Sequence, residues 1–230
     1  MRRHRFSGRR EVAIGLGTYA VYLLVRRFVY TDGGRRRAQR NGERLIQLER
    51  RLRLEIEPQL QRRFLPRRRT VAVLNTLYVT LNVVLTVGTL MELYRRRHSE
   101  FHRLRRAAAF GVLACQPISA AFPTAPPRSH DHFVDTIREL SGLNLDEGFV
   151  AQLFNPIAAF PSIHIVFAVV TAAGLAELAP SPAARALARG YPFAVAWMVF
   201  VTANHYVLDA VGGGAVALAG LRLSRRVENG

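Results

Sequence analysis

The sequence predicts an all-α, polytopic membrane protein: a bundle of six transmembrane helices with a basic amphipathic helix at the membrane interface. Half of the 230 residues are hydrophobic, although the formal net charge is +17. The hydrophobic residues are gathered into runs that approach the roughly 20 residues needed to cross a bilayer as a helix. The charged residues are gathered between those runs, whereas a soluble domain of this length distributes both kinds more evenly.

The six predicted spans, in chain order, are residues 12–30, 71–94, 107–122, 160–178, 190–203 and 206–223. The first is interrupted by Arg26 and Arg27, whose long side chains can extend to the membrane interface. The last two spans are nearly continuous, so the sequence predicts a tight turn near His205. We expect three regions: a basic segment with the first span over 1–35, interfacial helices over 36–69, and a membrane bundle over 70–230.

The stretch between the first two spans is rich in Arg. Residues 31–69 contain thirteen Arg and five acidic residues, so they carry +8 of the total charge. An apolar stripe recurs there at helical steps of three and four residues: Leu45, Leu48, Leu52, Ile56 and Leu60. Pro58 predicts the start of a second short helix. Such a helix is typical of a membrane surface rich in anionic lipids, with a solvated face packed on its own domain as the alternative. Nucleic-acid binding is disfavoured because interleaved aromatic residues are missing.

Arg-rich loops are expected on the cytoplasmic side of the membrane. The loop 94–106, the loop around Arg185, the C-terminal end and the first ten residues are therefore predicted to be cytoplasmic. This orientation places the loops 123–159 and 203–206 on the outer side. It also places the Arg-rich stretch 31–69 outside, against the same rule.

Polar residues occur at the predicted outer ends of the helices. In "FPTAPPRSHDH" the prolines end the third span and hold Arg128 in an extended loop, and the planar guanidinium group suits phosphate oxygens. Pro161 is predicted to be the first residue of the fourth span. The backbone N–H groups of Ser162, Ile163 and His164 would then face an anion at the helix N-terminus.

His205 and Asp209 lie four residues apart and therefore on one helix face. Asp209 can bind one ring nitrogen of His205, which leaves the lone pair of the other nitrogen free for nucleophilic attack. His164 can stand opposite as the general acid that protonates a leaving oxygen. Arg128 and Ser162 would hold the oxygens of a phosphoryl group. Together these residues favour phosphoryl transfer at the outer membrane boundary.

Other interpretations stay open. The two histidines and Asp209 could form a zinc site, although a site without a metal ion is favoured. His130 and His132 are interpreted as interfacial residues, and the Gly212–Gly214 run as a site of close helix packing. A non-catalytic scaffold could hold anionic lipids through the Arg-rich helix. The single Cys115 excludes an intrachain disulfide.

The segments "PSIH" and "HYVLD" resemble the second and third signature motifs of the type 2 phosphatidic acid phosphatase superfamily. The resemblance implies a six-helix membrane bundle and phosphoryl chemistry that uses no metal or other cofactor. It further implies that His205 attacks phosphorus and forms a phosphohistidine, that Asp209 orients His205, and that His164 is the general acid.

The chain also departs from that family pattern. The usual first motif, a lysine followed at seven residues by Arg-Pro, is absent, and the residue six positions before His205 is Val199 instead of a serine of a Ser-Arg pair. The segments "FPTAPPR", "NPIAAFPSIH" and "RNGERLIQLERRLRLEIEP" look like the branch that includes inositol phosphorylceramide synthases and their bacterial relatives. Arg128 is expected to replace part of the phosphate-binding set, with Asn155 and Asn204 as weaker candidates.

The resemblance implies a lipid phosphate or diphosphate as substrate. Water would resolve the phosphohistidine in a phosphatase, and an alcohol would resolve it in a head-group transferase of the phosphoinositol type. Both outcomes stay open at this point. The expected location is the bacterial inner (plasma) membrane, with the active site facing outward and the C-terminus in the cytoplasm.

Overall fold

The computed structural model describes residues 6–142 and 154–229. In these ranges the regular secondary-structure elements are helices. The helices are α1 Gly8–Val29, α2 Asp32–Leu52, α3 Glu57–Phe64, α4 Arg68–Arg95, α5 Phe101–Ala121, α6 Thr136–Ser141, α7 Ile163–Leu178, α8 Pro182–Val201 and α9 Val207–Asn229. The predicted all-α class is confirmed. Part of the predicted outer loop, residues 143–153, lies outside the described residues, as do the first five residues and the last residue of the chain.

Three of the described helices are long and apolar enough to cross a membrane: α1, α4 and the Val207–Val227 part of α9. They coincide with the first, second and last predicted spans, which makes the chain a membrane protein. Helix α7 is apolar but has only 16 residues. Helices α5 and α8 cover the remaining two predicted spans and carry Arg in their N-terminal halves. The complete six-span bundle stays a prediction.

Helix α7 lies at the centre of the bundle and packs against α4, α5, α8 and α9. Its contact with α9 is close because α9 has no side chain at Gly213. A Cβ atom at that position would collide with the backbone oxygen of Ser162, whereas one at Gly214 would meet nothing within 4 Å. The predicted role of this glycine run in close packing therefore depends on its individual positions.

The turn that joins α8 to α9 brings His205 into the bundle. Helix α8 ends at Val201, and α9 starts at Val207. Ala203 has a left-handed backbone conformation with a φ of +52°, and the backbone amide of Asn204 donates to the carbonyl of Val199 at 2.9 Å. The predicted tight turn near His205 is confirmed.

Helices α2 and α3 pack on the same end of the bundle as this turn. The Asn41 side chain donates to the carbonyl of Pro123 at 2.8 Å. The Gln61 side chain both donates to the carbonyl of Val134 and accepts from its amide. The Arg-rich stretch thus lies at the same end of the bundle as His164 and His205. This agrees with the predicted orientation, which placed residues 31–69 and the histidine motifs on the same side of the membrane.

The predicted apolar stripe of this stretch divides between two environments. Leu45 is buried, but Leu48, Leu52 and Ile56 are 42%, 53% and 41% exposed. The face that α2 buries is instead formed largely by small and polar residues: Ala38, Asn41, Gly42, Leu45, Ile46 and Glu49. Most of the apolar stripe therefore lies outside the buried face of α2, because that face packs against loop backbone that needs polar partners. Leu48 and Leu52 are exposed, as a helix that lies on a membrane surface requires. The interfacial position of this helix stays a prediction.

Candidate active site

The two histidines and the aspartate predicted from the sequence meet at the start of α7 and α9. The Nδ1 atom of His205 lies 3.2 Å from Oδ2 of Asp209 and 3.1 Å from the backbone oxygen of Ala159. On the opposite side of the ring, Nε2 of His205 lies 3.2 Å from Nδ1 of His164. His205 and Asp209 are buried. The result is a row in which His205 lies between a carboxylate and a second imidazole.

These partners determine the tautomer of His205. Its Nδ1 atom faces a backbone carbonyl, which can only accept a hydrogen bond, so Nδ1 carries the proton and Nε2 carries the lone pair. Burial, with a smaller effect from the positive charge of Arg128, lowers the pKa of His205 to about 3. The ring is therefore neutral at neutral pH, and its lone pair points at His164.

The start of α7 differs from the sequence prediction. Pro161 was expected to be the first helical residue, but the helix begins at Ile163, with Ser162 as its extended N-cap residue. The Ser162 hydroxyl accepts from the Ile165 amide at 3.4 Å, and the Ser162 amide donates to the backbone oxygen of Asp209 at 3.0 Å. The expectation of a Ser162 amide open to an anion was wrong, because α9 docks against it.

Arg128 is held in a buried position beside the histidines. Its Nε donates to Oδ1 of Asn204 at 3.0 Å, and one terminal nitrogen donates to Oδ2 of Asp135 at 2.8 Å. Its backbone amide donates to the carbonyl of Ala203 at 2.8 Å. Arg128 thereby connects the proline-rich loop to the turn that carries His205.

The other predicted phosphate-binding residues occupy different surroundings. The Asn204 side chain uses its oxygen for Arg128 and its nitrogen for Thr202, so it orients the guanidinium group. The side-chain oxygen of Asn155 accepts from the backbone amide of Ile157, and the backbone amide of Asn155 donates to the hydroxyl of Tyr22. Ser162 is fully buried. The structure thus brings Arg128 and Asn204 together, and it ties Asn155 to α1.

Two contacts at the site were missing from the sequence-based prediction. The ring of Tyr78 on α4 stacks on His164, with centroids 4.3 Å apart and planes 23° from parallel. The backbone oxygen of Ala159 supplies the second acceptor for His205. A single aromatic residue within an apolar span gives no local signal, and a backbone carbonyl gives none at all.

The alternative interpretations fare differently. His132 is exposed and His130 is buried against Gly42 of α2, and the interfacial position of both residues stays a prediction. For the zinc alternative, Asp209 contacts one nitrogen of His205 while His164 faces the other. The three groups therefore do not converge on one point. Across the described ranges, no cluster of three or more His, Cys, Asp or Glu side chains is suited to a metal ion.

A comparison with known protein families agrees with this arrangement. A family model described as the PAP2 superfamily matches residues 43–223. The match includes the histidine motifs, the proline-rich loop with Arg128, and the C-terminal part of α2. No curated protein and no solved structure gives a significant match to the chain.

Proposed function

The chain belongs to the PAP2 superfamily, and we propose that it is an integral membrane phosphatase or phosphotransferase that acts on a lipid phosphate or diphosphate through a phosphohistidine. Membership of the family makes it a phosphatase-type enzyme for phosphate-containing substrates. One observation carries the finer proposal: His205 is fixed on its Nδ1 side and directs its Nε2 lone pair toward His164.

In the first step Nε2 of His205 attacks phosphorus. A P–N bond forms while the P–O bond to the leaving group breaks. His164, protonated on both ring nitrogens, gives a proton to the leaving oxygen. The His205 ring gains positive charge as it forms the bond, and the carboxylate of Asp209 stabilises that charge. Each residue keeps the role that its motif resemblance implied.

In the second step the phosphohistidine is resolved. Water or an alcohol attacks phosphorus, His164 takes its proton, and the P–N bond breaks to return neutral His205. Water gives a phosphatase, and an alcohol gives a head-group transferase. The shared step is the same for both outcomes, so the site geometry supports them equally.

Arg128 is the proposed anchor for the phosphoryl oxygens. Its guanidinium group is oriented by Asn204 and Asp135, so it is preorganised for planar recognition of an anion. Ser162 contributes by capping α7 beside His164, and Asn155 stays a weaker candidate. The proposal assigns these roles without a metal ion or other cofactor.

A lipid substrate is supported by the membrane-spanning helices around the site. The Arg-rich stretch lies at the same end of the bundle, where its exposed Leu48 and Leu52 suit an interfacial position. Arg37, Arg40 and Arg44 line a shallow cavity there, which suits anionic lipid head groups. We place the active site at the outer face of a bacterial plasma membrane because the remaining Arg-rich loops favour the cytoplasm.

The test is phosphate release from a panel of lipid phosphates and diphosphates, in detergent with EDTA present. Wild type is compared with His205→Ala and with His132→Ala, which changes an exposed histidine. We expect release that survives EDTA, persists in His132→Ala and vanishes in His205→Ala. Release that persists in His205→Ala, or that EDTA removes, would contradict the phosphohistidine step.

If no lipid in this panel releases phosphate, the result favours the transferase alternative. The second panel then offers phosphodiester lipids together with alcohol acceptors and measures head-group exchange. If this panel were also silent, catalysis would be abandoned in favour of the anionic-lipid-binding scaffold.

A further inference from the structure

Two buried acids reach the first turn of α9 from elsewhere in the chain. Oε1 of Glu57, the first residue of α3, accepts from the amide of Val207 at 2.7 Å. Oε1 of Glu49 on α2 accepts from the amide of Leu208 at 2.7 Å. Both acids are only 1% exposed. The first amides of a helix have no partner within the helix, so these carboxyl groups act as caps supplied by distant residues.

The same turn carries the residue that orients His205. Oδ2 of Asp209 accepts from the amide of Tyr206 at 3.0 Å and contacts Nδ1 of His205 at 3.2 Å. Three successive amides, those of residues 206–208, are thus each bound by a carboxyl group. A shift of this turn would move Asp209 relative to His205.

The two glutamates are close enough to interact with each other. Burial raises the pKa of Glu49, and the neighbouring Glu57 raises it further, while burial also raises the pKa of Glu57. Asp209 is the other acidic group that faces both. The second oxygens of Glu49 and Glu57 are buried and have no donor among the described residues. One proton held between these two oxygens would supply that donor and remove the repulsion between two buried charges.

We propose that Glu49 and Glu57 share one proton and act as positioning residues, fixing the first turn of α9 so that Asp209 holds His205 in its reactive orientation. The catalytic part of this inference rests on the function proposed above. It makes the Arg-rich helices α2 and α3 part of the catalytic unit as well as a surface layer. The family match begins at residue 43 and so includes both acids.

Glutamine substitutions test the shared proton directly. In Glu49→Gln the amide oxygen still accepts from Leu208, and the NH₂ group donates to Glu57 in place of the shared proton. Glu57→Gln preserves the contacts in the same way. In the double variant the two NH₂ groups face each other with no acceptor between them. We therefore expect each single variant to stay within about threefold of wild-type kcat, and the double variant to lose about tenfold or more.

Leucine substitutions test the positioning role. Glu49→Leu removes the acceptor for Leu208, and we expect kcat to fall about 100-fold with KM changed less than about threefold. Hydrogen exchange at the amides of residues 207 and 208 should become faster in Glu49→Leu and stay protected in Glu49→Gln. Glu43→Gln is the matched control, since Glu43 is an exposed acid on the same helix. It should leave all readouts unchanged.

The outcomes separate this inference from the proposed function. If wild type is active and the double glutamine variant equals the single variants, the shared proton is refuted. If Glu49→Leu keeps kcat and slow exchange, the positioning role is refuted. If wild type acts on neither substrate panel, the proposed function fails, and hydrogen exchange alone decides whether the acids hold the turn. If Glu49→Leu does not fold, the comparison of the single and double glutamine variants still decides whether Glu49 and Glu57 share a proton.

Discussion

Replacing Asp209 by Asn isolates the contribution of one negative charge. An Asn side chain can place its carbonyl oxygen where Oδ2 of Asp209 lies, so the hydrogen bonds from His205 and Tyr206 are preserved. In the proposed mechanism, what is lost is the attraction between the carboxylate and the positive charge that the His205 ring gains in the transition state. At 3.2 Å and an effective dielectric constant of about 20, a full charge gives about 5 kcal/mol, and a half-developed charge about 2.5 kcal/mol. We therefore expect kcat to fall between about 70-fold and about 5000-fold.

Stability should respond differently from activity. Asp209 is completely buried, and its Oδ1 atom has no partner among the described residues. A buried charge with incomplete pairing costs free energy, so a neutral amide should leave the unfolding temperature unchanged or raise it. Phosphate release from the active lipid gives kcat, and thermal unfolding in the same detergent gives stability. Asp32→Asn is the control, because Asp32 forms an exposed ion pair with Arg35.

Two results would refute this reasoning. A kcat within tenfold of wild type would mean that the carboxylate charge does not stabilise the transition state. A fall in activity that is accompanied by an equal loss of folded protein would mean that Asp209 is required for the fold alone. Only a large loss of kcat in a normally stable Asp209→Asn variant supports the proposed role.

Three further predictions concern the surroundings of the site. Gly213→Ala should destabilise the protein by about 1–3 kcal/mol through collision with Ser162, while Gly214→Ala should not, and equal unfolding temperatures would contradict the packing argument. Arg128→Lys keeps the charge but not the planar fork, so kcat/KM should fall about 10- to 100-fold, and an unchanged value would exclude Arg128 as the phosphate anchor. Folding raises the pKa of Glu49, so the native state binds more protons than the unfolded state. Stability should then fall as the pH rises above roughly 4.3; Glu49→Gln should flatten that dependence in thermal unfolding, and an unaltered slope would contradict it.

The sequence predicted those parts of the site that depend on local spacing. His205 and Asp209 lie four residues apart, and the turn before them has to separate two apolar helices. The motif with His164 placed the second ring at the start of another helix. Local rules and motif resemblance therefore suffice to bring His164, His205 and Asp209 together.

The parts that sequence reasoning missed depend on contacts between distant segments. Pro161 looked like a helix start, but the amide of Ser162 is taken by the backbone of Asp209, which delays the helix by two residues. Glu49 and Glu57 lie among many arginines, and the sequence predicted no role for either residue. Their burial follows from unpaired amides at the start of α9, and no local pattern in α2 or α3 reports those amides.

The contact between the two rings bears on the proposed mechanism, because one of them has to move during turnover. In the proposed mechanism phosphorus lies about 3–3.5 Å from the nucleophile before bond formation, so it cannot fit between nitrogens that are 3.2 Å apart. His205 is fixed by Asp209 and Ala159 through Nδ1, and its amide contacts the carbonyl of Val199. The ring of His164 stacks on Tyr78, and stacking restrains a ring less directionally than the hydrogen bonds that hold His205. We infer that His164 swings aside to admit the phosphoryl group, which lets the nucleophile stay rigid while the general acid follows the leaving oxygen.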